Sequence, residues 1–254
     1  MNWPALIRHA SRLSIGLAVA LAASWIARQA HLDSFTTADV EGIGSLITLI
    51  GGIYAVVFAF VIFVIWGQFT GVEDATVREC SLVNDLLRFA QFLDPDSNRL
   101  IRRAVSDYAR RVASSEWHSL GEGHDDPGSE KAFALVAGAV VRASPVIPSE
   151  QNAHQRLVDI MRKLAEQRDE RIAKSLTRIP PTLLLLVRTM VVVLLLLVFV
   201  YPFHSWIVAA VGFAAVAIVL FFSNLVMTDT DNPFEGVFNV SAKPFSKVAA
   251  DTHI

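Results

Sequence analysis

The chain is 254 residues long, 53% hydrophobic and only 18% charged, where an ordinary soluble domain carries about 25%. Its net charge of −2, pI near 6.4 and mean hydropathy of +0.46 exclude a basic nucleic-acid binder, a disordered chain and a plain soluble enzyme. A single cysteine, Cys80, excludes an internal disulfide, and the seven scattered histidines place no two at metal-ligand spacing on one helix face, so neither a metal site nor a cofactor is expected.

In chain order, the first apolar stretch is residues 13–27, between Arg12 and Arg28. It has the outline of a secretory signal. Trp25 and Arg28, however, occupy positions where a cleavage site wants small residues, so a retained membrane span is expected. The second stretch is charge-free over residues 42–72 and strongest over 46–66, enough to cross a bilayer as a helix. Gly51-Gly52 lies in its middle, where glycine serves either close helix packing or a bend or lumen in a pore.

No proline separates this span from residues 73–92, whose apolar points Val77, Leu82, Leu86, Leu87 and Phe89 predict that one helix continues out of the membrane. Asp94-Pro95-Asp96 reads as a helix start, with a capping aspartate and proline in the first turn. Residues 121–128, rich in glycine and acid, read as a solvated loop with no calcium or zinc spacing. Ser149 is expected to cap a further helix reaching Arg178, on which Leu157, Ile160, Met161, Leu164, Ile172, Leu176 and Ile179 recur at helical spacing. The stripes on these helices look too thin for a self-sufficient core.

The third apolar stretch, residues 182–201, is interrupted by Arg188; the fourth is 206–227; Pro202 to Ser205 leaves room for a tight hairpin between them. Arg188 is a costly charge inside a span. It marks either a polar pathway or a side chain that reaches back to the headgroups. The segment 70–180 carries sixteen basic residues, against one in the 28–41 loop. That asymmetry predicts that this segment and both termini are cytoplasmic. The resulting fold class is an all-α membrane protein: four transmembrane helices with a helical cytoplasmic region between the second and third spans. The expected divisions are 1–69, a first membrane helix pair; 70–180, the cytoplasmic region; 181–228, a second membrane hairpin; and 229–254, a cytoplasmic tail. No glycine-rich phosphate loop, nucleophile elbow or paired catalytic carboxylate is present in the sequence, so no enzyme activity is expected.

Several residues in order carry a resemblance: Trp66-Gly67-Gln68-Phe69, Val72, Thr76, Glu79-Cys80, Leu86-Leu87-Arg88, Leu93-Asp94-Pro95, Tyr108, Glu116-Trp117, Ile179-Pro180 and Asn232-Pro233-Phe234-Glu235-Gly236. From about residue 46 to 245 the chain resembles the bacterial bestrophin-like family and, more distantly, the bestrophin channels. Trp66, Phe69, Glu79, Asn232, Pro233, Phe234 and Gly236 are the family-motif residues. The resemblance implies a homopentamer in the bilayer, four spans per subunit, and a pore lined by the second span. Placing Trp66 on the family tryptophan puts Thr48, Gly52 and Val56 at the pore neck, where the family favours bulky side chains. Leu49, Ile53 and Val57 form the neighbouring face. The family's acidic calcium clasp is not matched, because Val237 to Val240 follow Gly236.

Two functions follow. One is a passive channel for inorganic ions of unassigned sign, in the inner membrane. The other is a non-conducting scaffold that binds a partner through its cytoplasmic helices. A transporter is less favoured, because no inverted repeat relates the two pairs of spans.

Overall fold

The computed structural model describes residues 37–234 and 239–251. The first apolar stretch, the N-terminal basic tail, Glu235 and Gly236 lie outside the described residues. The elements are α1 (Thr37–Ala90), α2 (Pro95–Arg111), a π-helical turn (Val112–Glu116), α3 (Trp117–Gly121), α4 (Pro127–Arg142), α5 (Pro148–Leu176), α6 (Pro181–Val200), α7 (Trp206–Thr230) and α8 (Lys243–Asp251). Among the described residues the chain is all-helical. Three helices, α1, α6 and α7, are long and apolar enough to cross a membrane.

Proline opens α2, α4, α5 and α6, where its missing N–H is unneeded and its fixed φ already suits a helix. Asp94 caps α2 as the sequence suggests, accepting from Asp96 N and Ser97 N at 3.0 Å each. Two expectations need correction. Ser149 does not cap α5: the helix begins at Pro148, and the Glu150 carboxylate accepts from Val146 N at 2.8 Å and Ile147 N at 3.4 Å, taking up the orphan donors instead. The loop of residues 121–128 is also shorter than expected. Asp126 accepts from Gly128 N at 3.1 Å and Ser129 Oγ at 2.8 Å, so the helix already starts at Pro127.

The chain divides into two compact units. The first comprises residues up to Trp66 together with Arg178–Asp231. Here α6 and α7 form a hairpin closed by Tyr201 against Phe203, with ring centroids 4.8 Å apart. Tyr54, Val61 and Ile65 of α1, Val187 and Leu194 of α6, and Leu220 and Met227 of α7 make its core, with Ile179. Asp231 ties the two ends of this hairpin by accepting from Ile179 N at 2.9 Å.

The second unit comprises Gly67–Thr177 and the segment after Asp231. Its helices do have a core of their own, contrary to the reading of thin stripes. Val83 and Leu86 of α1, Ile101 and Tyr108 of α2, Val136 of α4, Leu157 and Leu164 of α5 and Phe245 of α8 are all fully buried in one cluster. Residues 229–254, expected to be a cytoplasmic tail, include α8, a helix the sequence analysis did not place. Phe245, Val248 and Ala249 on one face of that nine-residue helix close the cluster.

Candidate functional site

Helix α1 has two faces within the first unit. Tyr54, Val61 and Ile65 point into the unit's core, with Ile50, Val57, Phe58 and Ile62 packed beside them. On the opposite side Thr48, Gly52, Val56, Ala59 and Phe63 are exposed in the single chain. An ideal helix turns 100° per residue, so Gly52, Val56 and Phe63 lie within ~20° of the direction opposite Tyr54. The two adjacent glycines differ accordingly. A Cβ on Gly51 would touch Leu194 at 3.9 Å, whereas one on Gly52 would meet nothing within 4 Å. The Thr48 hydroxyl donates back to Gly44 O at 3.0 Å. Of the neighbouring set, Leu49 and Ile53 are exposed but Val57 packs into the core, so those three do not share one free face. Trp66 is also exposed, at the end of the unit's share of α1.

Arg188 is exposed on α6, beside Leu185, Val192 and Leu196 rather than toward Val187 and Leu194, which are buried.

The second unit holds a buried charge cluster. Arg171 on α5 donates through Nε to Glu79 of α1 at 2.6 Å and through Nη2 to Glu116 at 3.0 Å, and all three side chains are 1% exposed or less. The Tyr108 hydroxyl donates to Glu79 as well. Arg168, one turn before Arg171, lies 3.7 Å from Glu116 and binds Glu130 at 2.7 Å. Trp117 and Phe245 both pack against the Arg171 guanidinium, with ring centroids 5.6 and 5.5 Å from its central carbon. Burial would lower the Arg171 pKa, but the Glu79 and Glu116 carboxylates outweigh it and hold it raised. Burial, and then the Glu79 charge, push the Tyr108 phenol up. The same two causes raise the neighbouring Cys80 thiol to about 12, so it stays protonated and unreactive.

Local geometry aims these groups. The π-helical turn Val112–Glu116 lies between α2 and α3, and both its end residues, Val112 and Glu116, are buried. The wider turn changes the angular phase of the chain that follows it, and such bulges commonly occur at functional positions. Glu79 sits on a mostly apolar face with Val72, Ala75, Thr76, Val83 and Leu86, all buried. Arg168 and Arg171 interrupt the corresponding stripe of α5. A charge on an apolar stripe was therefore a readable signal, although it does not identify its partner.

Of the other family-motif residues, Phe69, Asn232, Pro233 and Phe234 belong to this unit too. Asn232 donates to Gly121 O at 2.8 Å and accepts from Phe234 N at 3.2 Å. Pro233 O accepts from Val240 N at 2.7 Å, and Val240 O takes the Trp117 indole hydrogen at 3.0 Å. Phe234 meets Trp117 edge-on, with ring centroids 5.0 Å apart, and Phe69 packs against the same small cluster.

Three apolar helices, a buried polar hub and an outward small-residue face define a helical membrane protein. The Bestrophin-like domain matches residues 15–245, which is most of the chain, and the protein belongs to the bestrophin-like family. Its fold is similar to that of a point variant of a bacterial bestrophin homologue from Klebsiella pneumoniae, with a TM-score of 0.75 at 13% identity, covering 95% of this chain and 99% of that one. A second variant of the homologue from that organism gives a TM-score of 0.73 at 11% identity, covering 97% of each chain. At such identities the likeness is one of fold. No curated protein matches the sequence.

Proposed function

We propose that this protein is a passive channel for inorganic ions, formed by several copies of the chain around a shared axis, with the outward face of α1 at the lumen. The observation that carries this reading is the Thr48, Gly52 and Val56 face. It is free of charge and turned away from the chain's own core, and at Gly52 it is open to any added side-chain atom within 4 Å. An apolar face of this kind needs a covering of lipid or of other subunits. Small residues at 48 and 52 keep a path between copies wide enough to stay wet. Membership of the bestrophin-like family supports the same assignment, with five copies by resemblance.

In this reading the first apolar stretch is the first of four spans, residues 70–180 form the cytoplasmic region, and residues 181–228 form the second membrane hairpin. The sixteen basic residues of 70–180 support a cytoplasmic position for that region and for both termini, in an inner membrane. The chain performs no covalent chemistry.

Purified protein reconstituted in liposomes tests the proposal. Halide- and cation-sensitive dyes should report flux that depends on protein and is lost on Gly52→Phe. Vesicles that remain tight to both ion classes would overturn the channel reading in favour of a non-conducting scaffold.

A further inference from the structure

Arg188 is the only charged residue between Pro181 and Asp229, and the charge-free stretch from Gly42 to Val72 holds no acid to pair with it. Residues 13–27 contain no acid either. A second copy of the chain would bring the same three acid-free stretches, so oligomerisation supplies no counter-charge within the apolar layer. Among the described residues the Arg188 side chain makes no hydrogen bond or ion pair, and it is exposed. Thr189 beside it is turned to its own helix, donating to Leu185 O at 2.8 Å.

An unpaired guanidinium at the centre of a bilayer is costly, so its position along the span decides what it can bind. Seven residues separate Arg188 from Pro181, which places its Cα ~10 Å along the helix at 1.5 Å per residue. Side chains on a helix lean toward its N-terminus, and for α6 that direction leads out of the apolar layer. The long stem covers most of the remaining depth and delivers the charged head to the headgroup layer. Seven residues form almost two full turns, so Arg188 lies in line with Pro181 at the helix entrance. The side chains sharing its face, Leu185, Val192 and Leu196, are 55–65% exposed and apolar, as a lipid-covered surface requires. A planar guanidinium with five donors matches a phosphate, and the layer it reaches is built of phosphates.

We propose that Arg188 binds the phosphate of a phospholipid headgroup at the N-terminal end of α6, with the acyl chains lying along Leu185, Val192 and Leu196. The surface is a lipid site, separate from the face of α1. Its occupancy does not depend on whether the protein conducts.

The test uses the full chain, purified in mild detergent, titrated with phosphatidylglycerol and read by native mass spectrometry. A parallel titration uses diacylglycerol, which has the same tails and no phosphate. Wild type should retain phosphatidylglycerol and release diacylglycerol. Arg188→Leu should retain about fivefold less phosphatidylglycerol, the worth of one basic residue at a lipid surface, and Arg188→Lys should keep most of the binding. Because the position is exposed, Arg188→Leu should elute at the wild-type volume on gel filtration, which separates lost binding from lost folding. Equal phosphatidylglycerol retention by wild type and Arg188→Leu would overturn the proposal. So would bromide displacing the lipid in proportion to its concentration while Arg188→Leu is insensitive to it, since that would assign the arginine to a mobile anion.

Discussion

Arg171 and Glu79 lie ninety-two residues apart in the chain and meet at 2.6 Å with neither side chain exposed to solvent. Their bond joins α5 to α1, and Glu116 and Tyr108 add the π-helical turn and α2 to the same group. The ion pair is surrounded by rings and aliphatic side chains, so its members depend on one another for compensation.

Removing one partner should therefore cost much more than removing both. Arg171→Met leaves Glu79 and Glu116 buried without their cation, and a loss of about 3–5 kcal/mol is expected. The double variant Arg171→Met with Glu79→Leu should recover a measurable part of that loss. Thermal unfolding of detergent-solubilised protein, compared across the four members of the cycle, reports it. Additive losses with no coupling would show that the pair contributes little.

Alkaline pH should destabilise the second unit. Cys80 is raised from an ordinary value of 9.0 to about 12, and Tyr108 is raised as well. Below pH 9 both folded and unfolded chains keep the thiol proton, and stability is full. As pH rises from 9 toward 12 the unfolded chain releases its proton first, so stability falls across that window. Maleimide labelling at pH 8 should leave Cys80 untouched in native protein and modify it in urea. Rapid labelling of the native protein would contradict the buried, protonated thiol.

Gly51 and Gly52 should respond differently to a larger side chain. Gly51→Leu presses on Leu194 and is expected to cost about 1–3 kcal/mol through overpacking, with a lowered melting temperature. Gly52→Ala adds a methyl where the single chain has no neighbour within 4 Å, so the melting temperature should stay near wild type. Reconstituted flux then separates the roles, because only substitutions at Gly52 should change conduction without changing stability. The reverse order of stability effects would show that Gly52 carries the tighter contact.

Asn232→Ala should destabilise the second unit by about 1–3 kcal/mol. It leaves the Gly121 carbonyl without its donor and the Phe234 amide without its acceptor. Near-ultraviolet circular dichroism should show a weakened Trp117 signal, because Phe234 is held against that indole through the same turn. An unchanged spectrum would place the turn's support elsewhere.

The sequence by itself determined the parts of this fold that depend on local or one-dimensional physics. Runs of about twenty apolar residues identify helices able to cross a bilayer, whatever surrounds them. Asp94-Pro95 starts a helix through its own hydrogen bonds, and the lack of proline from 42 to 90 allows α1 to run unbroken. Motif order alone was enough to suggest the bestrophin-like family.

Tertiary structure decided whatever depends on partners distant in the chain. Glu79 and Arg171 each stand out on an apolar stripe, yet no local rule couples residue 79 to residue 171. The pairing arises only when α1 and α5 pack and exclude water, which makes an unpaired charge untenable. Ser149 illustrates the converse: a good capping residue lost its place because Glu150 could reach two free amides one residue earlier. Adjacent glycines look alike in a sequence, and only the position of Leu194 separates the packed Gly51 from the open Gly52. Helix α8 is short, with polar residues at four of its nine positions, too weak a signal to be read alone, since nine residues cannot hold a helix in water without tertiary contacts. Phe245 supplies that support by burying its ring against Arg171, Tyr108 and Trp117, three residues that no sequence window places side by side.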